Sequence, residues 1–356
     1  MMKKGLPDRN FWSGKTVLVT GHTGFKGGWL SLWLNQMGAS VHGVAFDPNT
    51  DPNLYTVADI KRSIGMDIRN DIREYEDVID AFKKSSPDVV FHLAAQPLVR
   101  ESYRDPLYTL EANIMGSAHV LEAIRGTPSV KVVVMVTTDK VYENKEWVYP
   151  YREVDPLGGV DPYSISKACA ELVISSYRES FLRKNRVSVS SVRAGNVVGG
   201  GDWSMDRLVP DAMKSFMKGE SLVVRNPDSV RPWQHVLDPL CGYLLLAEKQ
   251  WGEPELYARA WNFSPEYESM TVGELAFELS KLWGGGTIWF RKDVDAPHES
   301  GLLSLDSSLA RKHLGWRSRW NLHEALRRTV DWYKAFKDEK DMRMYSLEQI
   351  KEYCND

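Results

Sequence analysis

The stretch that most constrains this chain is Thr16-Val17-Leu18-Val19-Thr20 followed at once by Gly21-His22-Thr23-Gly24-Phe25-Lys26-Gly27. The first five residues are apolar and β-rich and are bounded by turn residues, so they read as a buried strand. Beyond the glycines, Trp29, Leu30, Trp33, Leu34 and Met37 recur at helical spacing until Gly38 stops the helix. A second strand is expected from Ser40 to Phe46. Strand, glycine turn, helix and strand make one βαβ unit, because two parallel strands need a crossover between them.

The same alternation continues. Ile64-Gly65-Met66, Val89 to Leu93, Val130 to Val136 and Val187 to Val192 read as further strands, and a helix is expected from Tyr163 to about Arg183. Over the first 195 residues this implies an α/β fold with a doubly wound parallel sheet of Rossmann type. Beyond Val192 the texture changes to glycine-rich loops, a helical stretch from Leu208 to Lys218, and Leu240 to Lys249, which also looks helical. Ala260 to Phe263 reads as a returning strand, and a strand-like run covers Thr287 to Arg291. The expected division places 14–195 plus about 236–264 in the Rossmann part. A smaller, split α/β part takes about 196–235 plus 265–335, and a peripheral, helical tail takes 336–356.

Composition excludes several roles. With 45 basic and 48 acidic residues among 356 there is no basic field to attract nucleic acid. The stretch from Met1 to Trp12 lacks an apolar signal core and no apolar run reaches spanning length, so no membrane partner and a cytoplasmic location are expected. Cys169, Cys241 and Cys354 are scattered without metal-ligand spacing, so neither a metal nor a structural disulfide is expected.

A Gly-x-x-Gly-x-x-Gly turn between strand and helix is a candidate dinucleotide site. Gly21, Gly24 and Gly27 let the backbone approach a pyrophosphate, with Phe25 and Lys26 at the positive helix terminus. Asp47 follows Gly27 by 20 residues, where an acidic group would bond the adenosine ribose hydroxyls. Lys26 offers a cation to a 2′-phosphate, but Asp47 would repel one, which favours NAD over NADP. Asp67 and Ile68 at the end of the third strand are placed to reach adenine. Leu93, Ala94 and Ala95, running into Gln96, are mostly small residues that let a dinucleotide pass close to the backbone; His92 before them is expected to be a satisfied core residue.

Tyr163 and Lys167 lie four apart, on one face if the segment is helical, and Asp161-Pro162 ahead of them reads as a helix start. A phenol titrating near ~10 becomes a base near neutrality only if its pKa falls by about 3 units, roughly 4 kcal/mol. A surface ion pair supplies too little, so the pair is expected in a water-poor cleft with a second positive group such as an oxidised nicotinamide. Thr137, Thr138, Asp139 and Lys140 form a polar cluster at the carboxyl end of a parallel strand, where such sheets place chemistry.

Together, Gly-x-x-Gly-x-x-Gly at 21–27, Thr-Thr-Asp at 137–139 and Tyr-x-x-x-Lys at 163–167 resemble the extended short-chain dehydrogenase/reductases, the NAD-dependent epimerase/dehydratase family. The match spans roughly 14 to 330 and is nearest the nucleotide-sugar enzymes through 137–147, 193–203 and 231–236. The pair Asp139-Lys140 departs from the Asp-Glu common in dTDP-glucose enzymes and points to a cytidine nucleotide. The resemblance implies a 4,6-dehydration of CDP-glucose on tightly bound NAD, regenerated each turnover, in deoxysugar and O-antigen synthesis, by a homodimer or dimer of dimers. A dTDP-glucose or GDP-mannose dehydratase and a 4-epimerase stand as alternatives.

It implies Tyr163 as the base at the sugar 4-hydroxyl, with Lys167 lowering its pKa and Thr137 or Thr138 bonding the same hydroxyl. Asp139 is the implied acid for the leaving 6-hydroxyl, and Lys140 the candidate C5 base, with Glu143 or water in reserve. For the substrate diphosphate the chain offers Asn196, Arg207, Arg225 and Arg231, and the resemblance favours Asn196 and Arg231. It also implies Gln96, Gly201 and Trp203 at the substrate, with Trp203 or Trp233 over the base. Glu299 beside His298 falls where related enzymes close over the nucleotide ribose.

Overall fold

The computed structural model describes residues 5–266, 269–291 and 302–356. Seven strands form one all-parallel sheet: β1 (Thr16–Thr20), β2 (Ser40–Ala45), β3 (Asp67–Arg69), β4 (Val89–His92), β5 (Val132–Val136), β6 (Ser188–Ala194) and β10 (Ala260–Phe263). Their order is β10-β6-β5-β4-β1-β2-β3, so the winding reverses between β1 and β4. An open parallel sheet leaves a crevice at that switch, outside the strands' carboxyl ends. The third strand begins at Asp67, not at Ile64; its register is set by Gly43 pairing with Asp67.

Helices cover both faces. On one side lie α1 (Phe25–Gln36) and, much later in the chain, α6 (Leu237–Gly252). Against the other pack α2 (Tyr75–Ser85), α3 (Gly116–Arg125) and α4 (Pro162–Tyr177). The start of α4 is fixed by its sequence. Pro162 occupies the first turn, where no N–H is needed, and the Asp161 carboxylate accepts from Ser164 N at 2.9 Å.

Beyond β6, two small sheets are built on the polypeptide between and after these elements. β7 (Asn196–Val198) pairs parallel with β9 (Val230–His235), which pairs antiparallel with β11 (Ser269–Thr271). β8 (Leu222–Val224) pairs parallel with β12 (Ile288–Phe290). Helices α5 (Leu208–Lys218), α7 (Val272–Trp283) and α8 (Leu322–Lys337) complete this half. Among the described residues no helix is long and apolar enough to cross a membrane.

The C-terminal stretch is helical, α9 (Met342–Asn355), but it is not peripheral. Ile350 and Tyr353 are fully buried, Tyr353 lies edge-on to Trp33 of α1 at 5.6 Å, and its hydroxyl donates to Asp238 at 2.8 Å. The reason lies in α1, whose residues Gly27 to Leu34 are all buried. A helix apolar all round needs a cover on its outer side, and α9 is part of that cover.

Candidate active site

A cavity of about 1210 Å³ opens beyond the carboxyl ends of β1, β4 and β5, and its far wall comes from the second half of the chain. The near wall begins at Gly21, which adopts φ +77°; a Cβ there would meet Ala94 N at 2.7 Å. Gly27, in the first turn of α1, lies so close to that turn that a Cβ would stand 2.1 Å from Gly21 O. Gly24 caps α1 with no side chain, which leaves the helix terminus facing the cavity. Across the crevice, Thr20 Oγ1 accepts from Leu93 N and Ala94 N, both at 3.2 Å, and so pins the end of β4 beside the glycines.

Phe25, Asp47, Leu93, Ala94 and Ala95 all line this cavity. Asp47 is on the rim, exposed and paired with Arg69 at 3.3 Å. Asp67 and Ile68 do not line it. Because β3 starts at Asp67, that carboxylate is inside the strand, bonded to His22 at 2.8 Å, to Arg69 at 2.9 Å and to the Tyr55 hydroxyl. Asp71 and Ile72, just past the strand, form the wall expected of Asp67 and Ile68. His92 is a core residue as expected, bonded to Thr20 and Ser117 at 2.8 and 3.2 Å.

Lys26 departs from its sequence reading. Its charge interacts with Asp139, Asp202, Arg207 and Lys167, not with the ribose corner at Asp47. It therefore points along α1 into the polar cluster at the strand ends. Burial lowers its pKa to about 8, Arg207 adds to the effect, and Asp139 and Asp202 oppose it.

At the end of β5 the two threonines part company. The Thr137 hydroxyl donates to Glu171 Oε1 at 2.6 Å, so it turns away from Tyr163 into the protein. The Thr138 hydroxyl donates to Asp139 Oδ1 at 2.9 Å and also meets the Tyr163 side chain. Asp139 is 2% exposed, and its Oδ2 has no hydrogen-bond partner among the described residues. Such an orphaned buried oxygen is costly unless a ligand group answers it. Lys140 lines the cavity; Glu143 does not, its carboxylate being paired with Lys145.

Tyr163 and Lys167 both line the cavity from one face of α4, 8% and 4% exposed. The phenol is not acidic in this state. Burial pushes its pKa up to about 12 and Asp139 works in the same direction, while Thr138 and Arg207 pull it down. Burial lowers Lys167 to about 8, Lys26 lowers it further and Glu171 opposes them.

On the far wall, Arg207 lies near Tyr163 and is held by Asp202 at 2.7 Å. Arg225 pairs with Asp206 at 2.9 Å, and Arg231 is largely buried on β9. Asn196 and Gly201 line the same wall. Trp203 is wedged against Tyr333 and Phe336, ring centroids 5.1 Å away in each case, which makes it part of the core at the cavity's edge. Trp233 on β9 also reaches the lining. Gln96 lines the cavity, but its side-chain amide is spent within the protein, donating to Thr109 at 2.8 Å and to Leu98 O at 3.1 Å. Glu299 and His298 lie outside the described residues.

Comparison with known proteins decides the family. A family model described as GDP-mannose 4,6 dehydratase matches residues 18–329. The chain belongs to this family. It is 47% identical over 354 residues to the CDP-glucose 4,6-dehydratase of Salmonella typhimurium, covering 98% of both chains. To a GDP-mannose 4,6-dehydratase of Vibrio cholerae it is 25% identical over 339 residues, 85% of this chain and 89% of that one. Among solved structures, the UDP-glucose 4-epimerase of Thermus thermophilus in complex with NAD superposes with a TM-score of 0.77 at 25% identity, covering 89% of this chain and 98% of that one.

For a member of this family the wall holds one device that sequence reasoning passed over. Glu171 and Arg193, both buried, make a two-pronged ion pair at 2.8 and 2.8 Å behind Thr137 and Lys167. Its signal is in the sequence: Glu171 stands four residues beyond Lys167, and Arg193 is the one charged residue in the run Ser188–Ala194 that forms β6.

Proposed function

We propose that this chain removes water from CDP-glucose, giving CDP-4-keto-6-deoxyglucose, with NAD as a tightly held and regenerated cofactor. The observation that carries the reading is the convergence of Tyr163, Thr138 and the orphaned Asp139 Oδ2 on the wall facing the glycine turn. The 47% identity to a CDP-glucose 4,6-dehydratase supports the choice of nucleotide.

The chain's residues fit NAD: a Cβ at Gly21 or Gly27 would fill the turn, and Gly24 leaves the helix terminus open to a pyrophosphate. Asp47 would hold the adenosine ribose, and Phe25 with Leu93 to Ala95 would flank the passage. NAD bound there supplies the hydride acceptor for the sugar C4 and the donor for C6. Tyr163 Oη takes the proton of the 4-hydroxyl. Since burial holds that phenol near 12, its ionisation needs the cations of the assembled site: Lys167, Arg207 and the nicotinamide. Thr138 orients the same hydroxyl.

Asp139 gives a proton to the 6-hydroxyl as it leaves, and a base takes the C5 proton. Lys140 is that base in our reading, since Glu143 is paired elsewhere. Asn196, Arg207, Arg225 and Arg231 bind the substrate diphosphate and Trp233 borders the base. Residues 14–195 with about 236–264 form the NAD-binding part, and about 196–235 with 265–335 the sugar-nucleotide part. We further infer a cytoplasmic homodimer serving deoxysugar and O-antigen synthesis. The exposed Leu107, Met115, Ile165 and Leu172 on neighbouring helical segments supply its contact.

Incubation in heavy water with CDP-glucose, dTDP-glucose and GDP-mannose, each alone, tests the function by product mass. The expected outcome is rapid loss of one water, with one deuterium gained at C5, from CDP-glucose only. A product that keeps its oxygen, as a 4-epimer would, overturns the reading.

A further inference from the structure

The two charges at the heart of α4 are not equally explained by the reaction. Lys167 has a role in the site, but its ammonium makes no hydrogen bond or ion pair with any described residue. Three groups interact with it: Lys26 from α1 repels it, Glu171 from its own helix attracts it, and His92 lies within its reach from β4; Tyr163 stands one turn earlier on the same helix. His92 carries no charge, because burial and then Lys167 itself push it down to about 3. Glu171 is thus the one anion acting on Lys167 among the described residues.

Glu171 is held with unusual completeness. Arg193 Nε and Nη2 donate to its two oxygens at 2.8 and 2.8 Å, Ser191 Oγ donates at 2.6 Å and Thr137 Oγ1 donates at 2.6 Å. Burial alone would raise such a carboxyl, yet Arg193 and the two hydroxyls hold it below the usual range. Arg193 is anchored in turn: its Nη1 donates to the Tyr142 hydroxyl at 2.7 Å, and that hydroxyl donates to Asn262 at 2.8 Å. The clamp therefore ties α4 to the ends of β5, β6 and β10, one turn of helix behind the catalytic lysine.

We propose that Glu171 is a positioning residue for Lys167: clamped by Arg193, it supplies the counter-charge that keeps the ammonium charged beside Tyr163 against the repulsion of Lys26. Arg193 and Thr137 serve by holding that carboxylate in place and ionised. The inference rests on Lys167 acting as a cation in the proposed reaction, but the charge relation can be read without turnover.

The test is a titration of protein labelled with ¹³C at lysine Cε, the Lys167 signal being assigned by its loss in Lys167→Met. In the unaltered protein that signal should titrate near pH 8. In Glu171→Gln, which keeps the side chain's shape, the midpoint should fall by roughly one pH unit or more. The alkaline limb of kcat against pH should move down with it, while added NAD and substrate leave the acid limb unchanged. Should the single variant fold poorly because Arg193 loses its partner, Glu171→Gln combined with Arg193→Gln removes both charges, and because the departing cation offsets part of the departing anion the midpoint should fall by less, about 0.5 unit. A Lys167 midpoint unchanged to within about 0.3 unit in either folded variant overturns the proposal. Absence of dehydration by the unaltered protein would instead strike the functional reading and leave the titration standing.

Discussion

Replacing Gly27 by alanine tests the proposed cofactor cradle through one atom. The added Cβ would lie 2.1 Å from Gly21 O, 2.8 Å from Gly21 C and 2.8 Å from His22 Cα. An ordinary carbon–oxygen contact needs about 3.3 Å, so the first turn of α1 must retreat from the glycine turn by about 1.2 Å. All three obstructing atoms are backbone, so no flexible side chain can give way. Overpacking of this kind costs about 1–3 kcal/mol of stability. The same retreat misplaces the amides that meet the pyrophosphate, and a misplacement of about 1 Å is worth about 100-fold, or about 2.7 kcal/mol, in a site built for one geometry.

The assay is calorimetric titration of cofactor-free protein with NAD, alongside urea unfolding. Gly252→Ala serves as a control, since nothing lies within 4 Å of its Cβ. We expect an NAD affinity at least about 100-fold weaker in Gly27→Ala and unchanged in the control. An affinity within about threefold of the unaltered protein would refute the claim that NAD is held against this turn.

Other perturbations separate the remaining roles. Tyr163→Phe should abolish turnover while NAD stays bound, measured by product formation and by the cofactor content of the purified protein. Asp139→Asn should slow water loss by about 100-fold or more yet spare C4 oxidation, so the near-ultraviolet absorbance of reduced nicotinamide should accumulate; equal loss of both steps would remove its acid role. Leu172→Asp, placed on an exposed stretch of α4, should convert the proposed dimer to monomer in light scattering, and a dimer that persists would move the interface elsewhere.

Stability should depend on pH through Glu248, whose carboxyl is pushed up to about 7 by burial although it accepts from Asp8 N and Trp12 Nε1, each at 2.7 Å. Its folded pKa exceeds the unfolded value near ~4.3, so the folded state keeps the proton longer and stability falls as pH rises between the two. Glu248→Gln should therefore gain on the order of 1 kcal/mol at pH 8 and little at pH 4, read from urea unfolding at both. An equal effect at both would contradict that account.

Strand, helix and turn positions were largely legible because a buried parallel sheet writes itself as short β-branched runs separated by helical periodicity. The strand at Ala260–Phe263 was found from sequence, and so was the helix at Leu208–Lys218, with bounds that the structure repeats. The third strand was displaced because Ile64-Gly65-Met66 is the more apolar stretch, while pairing with β2 selects the more polar Asp67-Ile68-Arg69. Propensity describes a residue, and pairing register is decided by the neighbour. The tail misled for a similar reason. Its polar composition hides Ile350 and Tyr353, and two of Tyr353's partners, Trp33 and Asp238, lie more than 100 residues away.

By itself, the sequence determined which side chains share a face and which glycines must stay bare, because helical spacing and the lack of a Cβ are local properties. That was enough for the fold, the glycine turn, and the pairing of Tyr163 with Lys167. Only the tertiary structure decided which way each polar group turns: Thr137 inward to Glu171, Thr138 toward Tyr163, Lys26 into the polar cluster and away from the ribose corner. It also decided that the phenol of Tyr163, left to its buried surroundings, titrates high and not low. Charges and hydroxyls act through space over a few ångströms, and those distances arise only when segments far apart in the chain are packed together.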